Sequence, residues 1–169
     1  MKVLPQTDRK MIHNKNKLGG EMEYLEDKEE KRVQALEVGD KFITKWSPIS
    51  EGLIDSFVRL IGVDHPLFLN NEYAKSLGFK SRISTGILTF TYMMGLLFKS
   101  GLIRDGIYLG TDKCTHKLPI YPGDMIRGEI ELLNKRVTSK GDRIVVNYHW
   151  QVRNQDDQVV SEGINTCMF

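Results

Sequence analysis

Cysteine is scarce in this chain: Cys114 and Cys167 are the two among 169 residues. Two thiols cannot build a disulfide framework, so reduced cysteines in a cytoplasmic protein are the expectation. Charge of one sign is lacking too. Lys and Arg number 24 against 22 for Asp and Glu, a net charge of +2, which offers no broad attraction to nucleic acid or to an anionic membrane. Long apolar runs are missing as well. The longest strongly apolar stretch, Ile87 to Phe98, has 12 residues; it is too short to span a bilayer and suits a buried helix. Met1 to Lys17 alternates charge and polarity without an apolar centre, which argues against a secretory signal. Internal repeats and low-complexity tracts are absent. A soluble, cytoplasmic protein with one packed core is the expectation.

Several chemistries lack their motifs. There is no HExxH, no CxxC and no clustered His/Asp pattern, so no metal is expected. Cys114 and His116, two apart on a strand, share a face and could supply half a site, but no second pair accompanies them. No GxGxxG or GxxxxGK[ST] loop is present to cradle phosphates, and no GxSxG to present a serine nucleophile. His13, His116 and His149 read as surface or strand-face residues.

What is present divides in two. Residues 1–34 carry eight Lys/Arg and seven Asp/Glu and a Gly19-Gly20 break; they form a charged extension. Glu21 to Arg32 could be a charged helix, with Glu26 or Asp27 paired to Lys31 or Arg32, or a solvated arm. Residues 35–169 have the texture of a domain. Lys41 to Ile49 reads as a strand, and Ser50 as the N-cap of a helix through Ile61, where Ile54, Phe57, Val58 and Ile61 fall at helical spacing. A Gly-Val-Asp-His-Pro turn leads to a short helix at Asn71 to Leu77, ended by Gly78. Gly86 to Ser100 is helical and apolar nearly all round, so it must be covered on most sides. Its cover follows it. Ile126 to Leu132 alternates, Ser139 to Asp142 is a hairpin turn, and Ile144, Val146, Tyr148, Trp150 and Val152 share one strand face. Asn154 to Gln158 turns the chain again into Val159 to Phe169. The pattern predicts an α+β domain, a curved antiparallel sheet wrapped around one central helix.

The informative stretch is Leu60 to Leu88. A helix ends there, a Pro-fixed turn exposes polar groups, and Ser84-Thr85-Gly86 opens the apolar helix. Free N–H groups at a helix start, with the positive end of its dipole, can hold an anion or a developing oxyanion. Gly86 lets a ligand carbonyl approach the backbone. A plain Ser/Thr-capped helix start is the alternative.

In this stretch Gly62, Pro66, Leu67, Glu72, Tyr73, Ala74, Gly78, Phe79, Arg82, Ile83, Gly86 and Leu88 resemble, in register, the hydratase signature of the MaoC-like dehydratase family, the (R)-specific enoyl-CoA hydratases of hot-dog fold. Leu36 to Asp40 resembles the family's opening turn, and Leu118 to Asp124 its Pro-hydrophobic-aromatic-Pro-Gly-Asp turn. The resemblance runs from Leu36 to Phe169 and implies a single hot-dog domain that pairs as a homodimer or a larger homo-oligomer. It also implies a mechanism on acyl thioesters of fatty acid metabolism. An Asp and a His activate the water that adds to an enoyl thioester, and the N–H of the glycine opening the helix stabilises the enolate oxygen. Neither a metal nor a redox cofactor is implied.

The chain departs from that pattern where it matters. Gly86 holds the oxyanion position, but the family's Asp falls on Val63 and its His on Phe68, and neither can move a proton. Asp64 and His65 stand beside those positions, and Thr85 replaces the usual His before the glycine. Two readings stay open. Asp64 and His65 have taken over the acid/base work, making an enoyl-CoA hydratase or dehydratase, or the turn is structural and the protein is a non-catalytic thioester-binding or supporting subunit. A thioesterase on the same fold is a third option. In each case Val63, Phe68, Ile83, Ser84, Thr85, Ile87 and Phe90 are the expected substrate lining.

Overall fold

The computed structural model describes residues 12–15, 21–24 and 33–169. Its centre is an antiparallel sheet, in which Ile126 to Leu132 and Ile144 to Val152 are strands as their alternation predicts. The strands are β3 (Lys41–Ile43), β4 (Ser47–Pro48), β5 (Ile107–His116), β6 (Met125–Val137), β7 (Ile144–Asn154) and β8 (Val159–Met168). They lie in the order β3-β6-β7-β8-β5, with β4 also on β6. A separate pair, β1 (Ile12–Lys15) and β2 (Glu21–Tyr24), is antiparallel. Glu21 to Tyr24 is therefore strand and not the start of a charged helix; the suggested partners Glu26, Asp27, Lys31 and Arg32 lie outside the described residues.

The expected strand from Lys41 to Ile49 is broken. Ile43 opposes Glu129 and Ser47 opposes Ile126, so this side holds one residue more than its partner. Such an extra residue interrupts the ladder. Thr44 repairs the gap, because its N–H donates to Gly128 O and its hydroxyl accepts from Gly128 N–H.

Among the described residues four α-helices lie against the sheet or beside it: α1 (Glu51–Ile61), α2 (Pro66–Leu69), α3 (Asn71–Ser76) and α4 (Gly86–Lys99). Ser50 caps α1 by accepting from Leu53 N–H, and Gly62, at φ 70°, ends it in the left-handed conformation that glycine adopts at no steric cost. The sequence pattern missed α2, a single turn too short for periodicity to reveal.

α4 is the central helix. It buries Leu88, Thr89, Met93 and Leu97. Met93 packs so closely on β6 that a Cβ at Gly128 would stand 3.0 Å from its Cγ. Tyr92 Oη is 2.7 Å from Ser47 Oγ, and Met94 Sδ accepts from Asn165 on β8. Trp150, Tyr148, Ile126 and Leu132 complete the core beneath it. The helix is not covered all round in the single chain. Ile87 is 61% exposed and Phe98 43%, and Thr91 and Gly95 between them are exposed as well. Among the described residues no helix is long and apolar enough to cross a membrane.

Candidate functional site

The start of α4 is where a capped helix meets two loops and a strand. Thr85 is the N-cap, and its hydroxyl accepts from Leu88 N–H. That satisfies the third helical residue and leaves the N–H groups of Gly86 and Ile87 without acceptors inside the helix, as at any helix start. The preceding loop is fixed. Ser84 is buried, donates its N–H to Ile120 O and its hydroxyl to Thr85 O. Ile83 N–H reaches Leu67 O of α2, so the Pro66 turn runs beside the segment entering α4.

Arg82 clamps this junction. Its side chain is 8% exposed and pairs with Asp55 and, at 3.7 Å, with Glu51; it also donates to Phe68 O. The hydrogen bond from Arg82 holds the Asp55 carboxyl below its usual 3.8, helped by the charges of Arg82 and Arg59 and opposed by desolvation. A carboxyl with a depressed folded-state value adds stability that is complete above its unfolded value and fades as pH falls through the folded one. Asp55→Asn should therefore lower the urea midpoint at pH 7, and should lose less further stability than wild type when both are taken to pH 3. Equal losses over that interval would show that the pair contributes nothing to acid sensitivity.

The candidate acid/base residues of the turn are placed as follows. Asp64 and His65 are both exposed. His65 is the N-cap of α2, with Nδ1 accepting from Leu67 N–H, and its ring leans on Phe68 and Tyr73. A neutral imidazole with Nδ1 accepting carries its proton on Nε2. It has no second lone pair with which to take a proton while the cap is made. Val63 and Phe68 are partly buried against the core. Phe90 packs on Trp150 and Tyr108, while Ile87 faces outward. The expected apolar lining is thus spread over the α2 side, the sheet side and the open face of α4.

A different histidine lies at the helix start. A Cβ on Gly86 would come within 2.4 Å of both Cδ2 and Nε2 of His116. Adding one carbon–carbon bond of about 1.5 Å puts Nε2 within about 4 Å of the Gly86 Cα. Across the ladder His116 opposes Ser161, which is fully buried, and His116 Nδ1 is 2.7 Å from Ser161 Oγ. Cys114 Sγ stands 3.9 Å from Nε2. Desolvation lowers the His116 pKa below 6.5 and raises that of the Cys114 thiol.

Strand alternation alone would not bring His116 here. Thr111, five residues earlier, faces inward to bond buried Asn165, so strict alternation sends residue 116 outward. Asp112 pairs with Ile164 but Thr115 with Glu162, one residue too many on β5. That bulge, with Lys113 at φ 53°, reverses the parity and puts His116 on the α4 side of the sheet, where its ring meets Gly86 while staying exposed. Among the described residues no group of three or more His, Cys, Asp or Glu gathers as for a metal.

A model of the MaoC-like domain matches residues 33–153. The chain belongs to the MaoC-like domain family. Similar solved structures include a MaoC-like dehydratase from Rhodospirillum rubrum, 26% identical, TM-score 0.72, over 81% of this chain and 94% of that one. An (R)-hydratase from Pseudomonas aeruginosa is 28% identical, TM-score 0.66, over 80% and 83%. An (R)-hydratase from A. caviae involved in PHA biosynthesis is 25% identical, TM-score 0.66, over 79% and 97%. No curated protein matches the chain in sequence. As a MaoC-like domain it has the expected α+β hot-dog architecture, with a curved antiparallel sheet.

Proposed function

We propose that this MaoC-like protein is a hydratase or dehydratase of acyl thioesters, adding water to an enoyl thioester or removing it from a 3-hydroxyacyl thioester. The observation that carries the reading is the start of α4, where Gly86 and Ile87 offer backbone N–H groups beside an imidazole in a family that includes dehydratases. An enolate oxygen developing on the thioester would be held there, the kind of stabilisation whose single donors are worth about 10²–10³-fold. The reaction needs neither metal nor redox cofactor; the acyl group arrives on coenzyme A or an acyl carrier protein.

One observation favours a second reading. Val63 and Phe68 stand where the family signature has its Asp and His, which suits a non-catalytic thioester-binding or supporting subunit. Turnover separates the two. A panel of short and medium trans-2-enoyl-CoA thioesters should lose its enoyl absorbance in the presence of the protein. Binding without turnover would replace the enzyme by the supporting subunit.

The working unit is a homodimer or larger homo-oligomer. β5 ends the sheet, and Ile107, Tyr108 and Leu109 on it are exposed along with Ile87 and Phe98 of α4. An open strand edge beside exposed apolar side chains is a pairing surface. Sedimentation equilibrium should return at least twice the chain mass; a single-chain mass at micromolar concentration would sink this part.

A further inference from the structure

We infer that His116, on β5, is the group that moves the proton in this reaction, with Ser161 as its positioning residue, in place of any residue of the Pro66 turn. The inference rests on the hydratase reading above.

The hydrogen-bond geometry accommodates a basic Nε2. Ser161 Oγ donates to Thr115 O, at 3.2 Å, since a carbonyl can only accept. With its proton donated to Thr115 O, the hydroxyl oxygen, 2.7 Å from His116 Nδ1, accepts, and Nδ1 is assigned the hydrogen. In a neutral imidazole the lone pair is then on Nε2. Nε2 is the nitrogen that lies against Gly86. The turn histidine has the opposite arrangement: His65 accepts at Nδ1, which leaves Nε2 protonated. Of the two imidazoles, only His116 directs its acceptor nitrogen at the helix start, where the weak thiol donor Cys114, 3.9 Å from Nε2, is its other neighbour.

The chemistry balances with no added reagent. Water attacks the β-carbon of the enoyl thioester while Nε2 takes its proton, forming the carbon–oxygen bond. The π electrons move to the thioester oxygen, held by the N–H groups opening α4. The imidazolium then returns a proton from Nε2 to the α-carbon, and the enolate collapses to the 3-hydroxyacyl thioester. Dehydration is the reverse. The titratable group facing the ring is Cys114; Ser161 from β8 and Gly86 from α4 bring no charge. The resting imidazole is neutral at pH 7 because desolvation lowers its pKa, as a general base requires.

The test is enoyl-CoA hydration by wild type, His116→Gln, Ser161→Ala and Cys114→Ala, with His149→Gln as the control on a different strand. His116→Gln should lose about 10²–10⁴-fold in kcat with KM within threefold and the circular dichroism spectrum retained. The acid limb of the wild-type kcat/KM profile should fall below pH 6.5 and vanish in His116→Gln. Ser161→Ala should lower kcat less and shift that limb. Three results overturn the inference. His116→Gln within threefold of wild type overturns it while the hydratase reading stands. Cys114→Ala losing as much as His116→Gln would make the imidazole serve a thiol nucleophile and not water. A wild type that turns over no enoyl thioester removes the hydratase reading, and the inference falls with it.

Discussion

Gly86→Ala should reduce enoyl-thioester hydration by at least about 100-fold, the loss typical of a displaced acid/base group, while the protein stays folded. The added methyl would sit 2.4 Å from the His116 ring, closer than carbon and nitrogen atoms can approach, so one of them must move. The backbone of α4 is held by its cap and by buried Leu88, Thr89 and Met93. His116 is exposed, so the ring is what gives way. It leaves Ser161 Oγ, and the lone pair on Nε2 leaves the helix start. The stability cost is small because the ring swings toward solvent. Gly95→Ala is the matched control: it lies in the same helix, and a Cβ there meets nothing within 4 Å. Alanine is favoured over glycine by about 1 kcal/mol within a helix, so Gly95→Ala should raise the melting temperature and keep full activity. If Gly86→Ala keeps kcat within threefold, or nitrogen chemical shifts show Nδ1 still bonded to Ser161, the close approach has no catalytic meaning.

The contrast between Gly86 and His116 also shows what the amino-acid pattern can and cannot convey. The glycine is legible because helix starts have local grammar: Thr85 supplies the cap, and the apolar run begins one residue later. Ser50 capping α1 and the alternating inner face of β7 are legible for the same reason, each being set by neighbours a few residues away. His116 is not. Its place depends on an extra residue in β5 relative to β8, and the left-handed residue of that bulge is Lys113, not the Gly, Asn or Asp that usually mark such positions. Nothing in Thr111 to His116 announces it. Spacing put Cys114 and His116 on one face but could not say that His116 there meets the start of α4. The Pro66 turn is the converse case. Counting residues set Asp64 and His65 beside the family's catalytic positions, yet direction is a property of the cap that His65 makes, and one turn of helix leaves no periodic trace. The break at Thr44 escaped detection because a one-residue excess leaves the composition of a strand unchanged.

The largest stability loss should come from Asn165→Ala, about 3–5 kcal/mol, a substantial part of the roughly 5–15 kcal/mol that holds a domain of ordinary size. Asn165 is fully buried and its amide is the junction of the polar contacts beneath α4. Oδ1 accepts from Trp150 Nε1–H at 2.8 Å and from Thr111 Oγ1 at 2.6 Å. Nδ2 donates to Tyr148 Oη and to Met94 Sδ, each at 3.1 Å. Truncation would leave the indole N–H buried without an acceptor and Tyr148 Oη with only sulfur neighbours, Met94 and Cys167; burial already pushes the phenol's pKa far above its usual 10. Each stranded group costs about 1–3 kcal/mol. The indole cannot retreat, since Trp150 is fully buried and its ring fills the space over Gly163, where a Cβ would stand 2.6 Å away. Removing both partners is milder than removing one. Asn165→Leu combined with Trp150→Phe should therefore recover part of the loss, and a double-mutant cycle on urea midpoints reads the coupling. If Asn165→Ala costs under about 1 kcal/mol, the network is not a stabilising unit. The same cycle bears on catalysis. Asn165 ties Met94 of α4 to β8, the strand that also holds Ser161, so it helps set where the helix start stands against the His116–Ser161 pair. In variants that remain folded, kcat should fall as this tie is weakened, with KM changing less.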